Sequence, residues 1–113
     1  MTGASYEDIH LAEQALGLQF AADYRQYIAE FGAASFDGHE LTGICTSTRL
    51  NVVKVTQNER KNNVFALLDW YVIEQTGIDS ITIWQNSKGE VFLTIPYGRP
   101  QKICNSLAEY INL

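Results

Sequence analysis

The sequence predicts an α+β fold, one domain over residues 1–113 in which N-terminal helices pack on an antiparallel β-sheet and a short C-terminal helix closes the chain. Three observations predict it. Phe20, Tyr24, Tyr27, Ile28 and Phe31 recur at the spacing of one face of a 3.6-residue helix. Apolar and polar residues alternate on both sides of Asn86-Ser87-Lys88-Gly89, the mark of a β-hairpin. Ser106-Leu107-Ala108-Glu109 reads as the capping box of a last helix. With 113 residues there is room for one hydrophobic core and no second domain.

Ser5 with Asp8 three positions on starts a first helix, whose stripe is Ile9, Ala12 and Leu16, with Ala15 at its margin. Gly17 ends it. His10 falls beside that stripe as a partly exposed helix residue. The second helix runs from roughly Ala21 to Phe31, with Asp23 at the positive end of its dipole and Gly32 as its left-handed stop. A turn at Asp37-Gly38 leads into a short strand from Glu40 to Cys45, and Thr46-Ser47-Thr48 is a loop. Residues 50–61 read both ways: Val52, Val53, Val55 and Thr56 favour a strand, while Leu50, Val53 and Gln57 with the polar run to Lys61 suit a surface helix. Glu59, Arg60 and Lys61 read as a solvated face.

From Val64 the chain runs into a buried strand that ends at Gln75, with Trp70, Val72 and Glu74 on one side and Tyr71 and Ile73 on the other. In the hairpin that follows, Ser80–Gln85 against Glu90–Ile95, a type I turn with a glycine bulge sets Trp84 opposite Phe92, Ile83 opposite Leu93 and Ile81 opposite Ile95. Trp84, Phe92, Thr82 and Thr94 then line the face turned away from the helices, which is either covered by another segment or open as a binding surface. Gln101–Cys104 returns as an edge strand, and Leu107, Tyr110 and Ile111 point inward from the final helix.

The order of these pieces resembles the SUKH superfamily. The resemblance rests on Asp23-Tyr24-Arg25-Gln26-Tyr27-Ile28 through Gly32, on Gly38-His39-Glu40-Leu41-Thr42-Gly43-Ile44, and on Asn51-Val52-Val53. It continues through the Tyr71–Gly77 strand, the hairpin and the Ser106–Tyr110 helix, so it spans nearly the whole chain. Ala21 stands where many members carry a proline. The resemblance implies a helix at 50–61. It also implies a bacterial immunity protein, an antitoxin that neutralises a polymorphic toxin by stoichiometric binding; the alternative is an intracellular scaffold or regulatory domain, as in eukaryotic members.

Charge bears on the partner. Residues 1–40 carry seven acids against Arg25 alone, and the whole chain is at −5. An acidic surface repels phosphate backbones and attracts basic proteins, so the expected partner is a basic toxin domain such as a nuclease, with no direct nucleic-acid contact. Its expected contact residues are Asp37, His39, Glu40, Asp69 and Asp79 for steering, with Trp70, Trp84 and Tyr97 as exposed aromatic anchors. No apolar run or leader points to a membrane, which predicts a cytoplasmic protein. A monomer or weak dimer is expected. Cys45 and Cys104 read as reduced core thiols, with a disulfide as the lesser alternative. No phosphate-binding loop, His-Glu-x-x-His or Cys-x-x-Cys is present, and three residues as close in one loop as Asp37, His39 and Glu40 seldom converge on one atom, which leaves a small enzyme built on that loop as the least favoured option. Neither an enzyme nor a metal or cofactor is expected.

Overall fold

A computed structural model describes residues 3–113. Ser5 starts α1 (Tyr6–Leu16) through a reciprocal cap: its hydroxyl accepts from the Asp8 N–H (3.1 Å), and the Asp8 carboxylate accepts from the Ser5 N–H (3.4 Å). Gly17, left-handed, closes it. Ile9, Ala12 and Leu16 are buried, whereas Ala15 and His10 lie exposed. Glu13 fixes the step to α2 (Ala22–Phe31) by accepting from the Phe20 N–H and from Arg25, both at 2.8 Å. Phe20, Tyr24, Tyr27 and Ile28 are buried as their spacing predicts. Phe31 is a correction. It is 40% exposed at the end of the helix and meets the Phe36 ring edge-on at 5.4 Å, outside the core.

The strand expected from Glu40 to Cys45 does not form. Asp37 and Gly38, both at positive φ, instead turn a two-residue hairpin between β1 (Ser35–Phe36) and β2 (His39–Glu40). Beyond Glu40 the backbone donates to three separate partners: Thr42 to Ile73 O, Gly43 to Leu50 O and Ile44 to Gly32 O. No single neighbour strand is available to it. Gly43 is required here, because a Cβ would fall 1.8 Å from Gly32 O.

Residues 52–59 are helical. Asn51 accepts from the Val53 and Lys54 N–H groups and starts α3 (Val52–Glu59), whose inward residues are Val52, Val55 and Thr56 rather than the expected Leu50, Val53 and Gln57. The cap and the tertiary fit outweigh the strand preference of three valines.

Four antiparallel strands follow in sequence order: β3 (Tyr71–Gln75), β4 (Thr82–Gln85), β5 (Val91–Thr94) and β6 (Gln101–Cys104). The hairpin register is the expected one, Ile83 opposite Leu93 and Trp84 opposite Phe92, and the Gly89 N–H donates to Asn86 O across the turn. Ile81 and Ile95 fall just outside the ladder, which ends at Thr82 and Thr94. In β3 the register shifts between Val72 and Glu74, so Val72 pairs with Trp84 but Glu74 pairs with Ile83. This bulge corrects the expected alternation. It turns the Glu74 carboxylate away from Trp70 and Val72 and towards α4 (Leu107–Ile111), where it accepts from the Tyr110 hydroxyl, the Glu40 N–H (3.0 Å) and His39 (3.0 Å).

Each sheet face has its own core. Tyr71, Ile73, Ile83 and Val91 pack with α1, α2 and α4, while Val72 and Trp84 pack with Val55 and Trp70 on the opposite face. α3 lies along β3 and supplies Val52 to one core and Val55 to the other. It also covers that edge of the sheet, Thr56 accepting from the Val72 N–H (2.9 Å), while Thr42 from the segment after β2 donates to Val72 O (2.7 Å). Cys104 is buried, Cys45 is only partly so, and both are free thiols. Burial raises the pKa of the Cys104 thiol.

A buried polar chain ties distant elements together. The Ala21 N–H donates to the Tyr71 hydroxyl, which donates to Gln85 Oε1 (2.7 Å); Gln85 Nε2 donates to Asp23 and to Gly89 O, and Asp23 accepts from the Leu107 N–H (2.8 Å). The start of α2, strands β3 and β4, the hairpin turn and α4 are thereby set against one another.

Candidate partner-binding surface

The N-terminal acids are mostly consumed by the fold. Asp8 caps α1, Glu13 pairs with Arg25, Asp23 lies in the polar chain, and Glu40 is held by Arg49 through two bonds of 2.6 and 3.1 Å. That fork holds the Glu40 carboxyl below its usual range. His39 is fixed between Glu74 and the Tyr110 ring (4.8 Å) and pins the hairpin to the sheet. Asp37 stands exposed at the hairpin tip. Asp37, His39 and Glu40 thus have three separate environments, and among the described residues no group of three His, Cys, Asp or Glu side chains is placed to hold a metal ion.

Trp70 and Trp84 are not exposed anchors. Trp70 stacks on Phe92 with centroids 4.1 Å apart, and Trp84 is fully buried with its indole N–H donating to Thr94 (2.7 Å). The second face of the sheet is covered, by α3 and by the loop that carries Trp70.

That covering loop has an unusual outer side. Val64, Phe65, Leu67 and Leu68 are 64, 44, 59 and 78% exposed. The backbone beneath them is held: Ala66 N–H donates to Asn63 O, Trp70 N–H to Leu67 O, and the Arg60 guanidinium to Leu68 O (2.9 Å) and Leu16 O. Arg60 is therefore a staple rather than part of a solvated face, and burial lowers its pKa. Glu59 is another correction. Half-buried at the end of α3, it accepts from Asn63, Gln75 and Thr82.

Two further turns adjoin this loop. The Tyr97 N–H donates to Asn62 O (3.2 Å), Arg99 sits 5.3 Å over the Phe65 ring, and Ile95 and Tyr97 are 47 and 70% exposed. The Thr76–Ile81 turn, with Asp79 and Ser80 both at positive φ, exposes Ile78 and Asp79. Asn62, Gly77, Ser80 and Pro96 from the three loops line one cavity of ≈ 390 Å³. Of the expected contact residues, Asp69, Asp79 and Tyr97 belong to these three loops, Glu40 meets the cavity rim through Arg49, and Asp37 and His39 lie on the hairpin. The apolar contributors Val64, Phe65, Leu67, Leu68, Ile78 and Ile95 were missed by residue type. The signal was available: five apolar residues in a row between Asn63 and Asp69 have neither a strand's alternation nor a helix's stripe.

Fold and surface define a small α+β domain whose most distinctive exposed feature is an apolar loop held by backbone hydrogen bonds. The chain belongs to the SUKH family: SUKH_5, described as SMI1-KNR4 cell-wall, matches residues 1–112. No curated protein sequence matches it. Among the described residues no helix is long and apolar enough to cross a membrane.

Proposed function

We propose that this protein is an immunity protein that neutralises a bacterial polymorphic toxin, a basic nuclease domain, by binding it stoichiometrically through the three-loop face. The observation that carries the proposal is the Val64–Leu68 loop. Four large apolar side chains face water on a backbone fixed by Arg60 and Asn63, a preorganised patch of the kind that marks protein contact sites. SUKH membership is consistent with the role, and a net charge of −5 suits a cationic partner. Burial of each leucine by a partner contributes about 1.5–3 kcal/mol, so the loop supplies affinity while Asp69 and Asp79 steer the approach. The reaction chemistry of the toxin is blocked by occupation, and no bond is made or broken by the immunity protein. Capture of partners by the tagged protein at low and high salt tests the reading. One basic toxin domain, released as salt rises, is the expected result; recovery of a resident housekeeping complex instead would favour the scaffold role.

A further inference from the structure

We infer that the cavity between the three loops is a receptor for one basic side chain of the partner, with Glu59 as its counter-ion. This rests on the proposed protein partner but concerns a site of its own. Glu59 lines the ≈ 390 Å³ cavity, and its carboxylate accepts only from neutral groups: Asn63 Nδ2 (3.2 Å) and the Thr82 hydroxyl (3.1 Å) on Oε1, and Gln75 Nε2 (2.7 Å) on Oε2. No cation among the described residues compensates it. Arg49 also lines the cavity but is held to Glu40 in a two-bond fork, and the Arg60 guanidinium donates to Leu16 O and Leu68 O. The cavity therefore holds an oriented carboxylate that has no ion-pair partner among the described residues.

The remaining geometry narrows the ligand. A carboxylate has about four acceptor positions, and three are filled here, which leaves one on Oε2. A guanidinium fork needs two parallel acceptors, whereas a lysine ammonium is satisfied as a point charge with one. Ile81 and Pro96 in the cavity wall offer apolar surface to the methylene stem of such a side chain. Lysine is thus the fitting residue, and the exposed Ile78, Ile95 and Tyr97 adjoin the lining residues Gly77 and Pro96 in the chain.

The test uses the intact protein and small probes, observed by backbone amide NMR at constant ionic strength. N-acetyl-lysine amide should give saturable shifts at Gly77, Ser80 and Thr82 in roughly the ten-millimolar range. N-acetyl-arginine amide should bind several-fold more weakly, and the norleucine amide should leave these signals unmoved. Glu59→Gln should abolish the response. Because that change also alters the bonds to Gln75 and Thr82, Asn62→Lys serves as a second variant: it leaves Glu59 and its donors intact, places a tethered ammonium at the cavity and should weaken the probe at least tenfold. Equal shifts from lysine and norleucine probes, or an undiminished lysine response in both variants, would overturn the assignment. Either result would leave toxin neutralisation standing, since that is read by partner capture.

Discussion

Replacing Tyr71 by Phe removes one oxygen atom from the middle of the buried polar chain. The ring contacts with Phe20 (4.8 Å) and Tyr24 (4.9 Å) are retained, so the packing term is nearly constant. What is lost is the acceptor of the Ala21 N–H and the donor to Gln85 Oε1, and neither residue has access to water: Ala21 is 3% and Gln85 0% exposed. A buried polar group left without a partner costs about 1–3 kcal/mol, so two cost about 3 kcal/mol together. That is a large share of the roughly 5–15 kcal/mol that holds a domain of this size. Both tryptophans are buried, which makes their fluorescence a reporter of urea unfolding. The midpoint should fall by about 1–2 M with the slope unchanged. Tyr6→Phe is the control, because Tyr6 is 83% exposed and should shift stability by less than about 0.5 kcal/mol. Equal midpoints for the two variants would refute the polar chain as a stabilising element.

Three other outcomes follow from the same packing and burial. Gly43→Ala would put a Cβ 1.8 Å from Gly32 O and should cost more than about 2 kcal/mol, seen as a melting temperature lowered by roughly 8 °C or more. Burial raises the phenol of Tyr27 from 10.0 to about 12 and pushes Tyr24, Tyr71 and Tyr110 up as well. A raised folded-state pKa means that this stabilisation is intact below pH 10 and is lost as pH climbs towards 12, roughly 2–3 kcal/mol for Tyr27 alone. Alkaline titration should therefore show tyrosinate absorbance from these four residues rising together with loss of circular dichroism; a gradual rise in a protein still folded would contradict their burial. The Leu67→Ser, Leu68→Ser double variant should unfold within about 0.5 kcal/mol of wild type, because both side chains already face water.

Local signals were legible and long-range ones were not. The hairpin register could be read because Asn86 and Gly89 set the turn and a period of two sets the faces. The caps at Ser5, Gly17, Gly32 and Ser106 are equally local, each decided within a few residues. The bulge at Ile73 is different. Nothing in Tyr71–Gln75 announces it, since it is selected by what Glu74 reaches on the far side, the Tyr110 hydroxyl and the hairpin at Glu40. α3 likewise takes its shape from Asn51 and from the N–H of Val72, against the preference of its own valines. Trp70 and Trp84 looked like surface anchors because large aromatics suit interfaces, yet each had a partner distant in sequence, Phe92 and Thr94, that drew it inward. Of the acids expected to steer, Glu40 is engaged by Arg49 while Asp37, Asp69 and Asp79 stay exposed; elsewhere in the acidic N-terminal part Asp23 is tied to Leu107, 84 residues away. The surface that emerges is built instead from an apolar run that belonged to no regular element.

The central claim is that the Val64–Leu68 face is where a basic toxin is held. The most direct measurement is growth rescue: the protein is co-expressed with a basic toxin domain recovered by partner capture, as wild type and as the Leu67→Ser, Leu68→Ser variant once urea unfolding has verified its fold. Wild type should restore growth, and the variant, having lost about 2 kcal/mol at each leucine and hence roughly a thousandfold in affinity, should not. Full rescue by the variant would contradict the account and move the contact surface off this face.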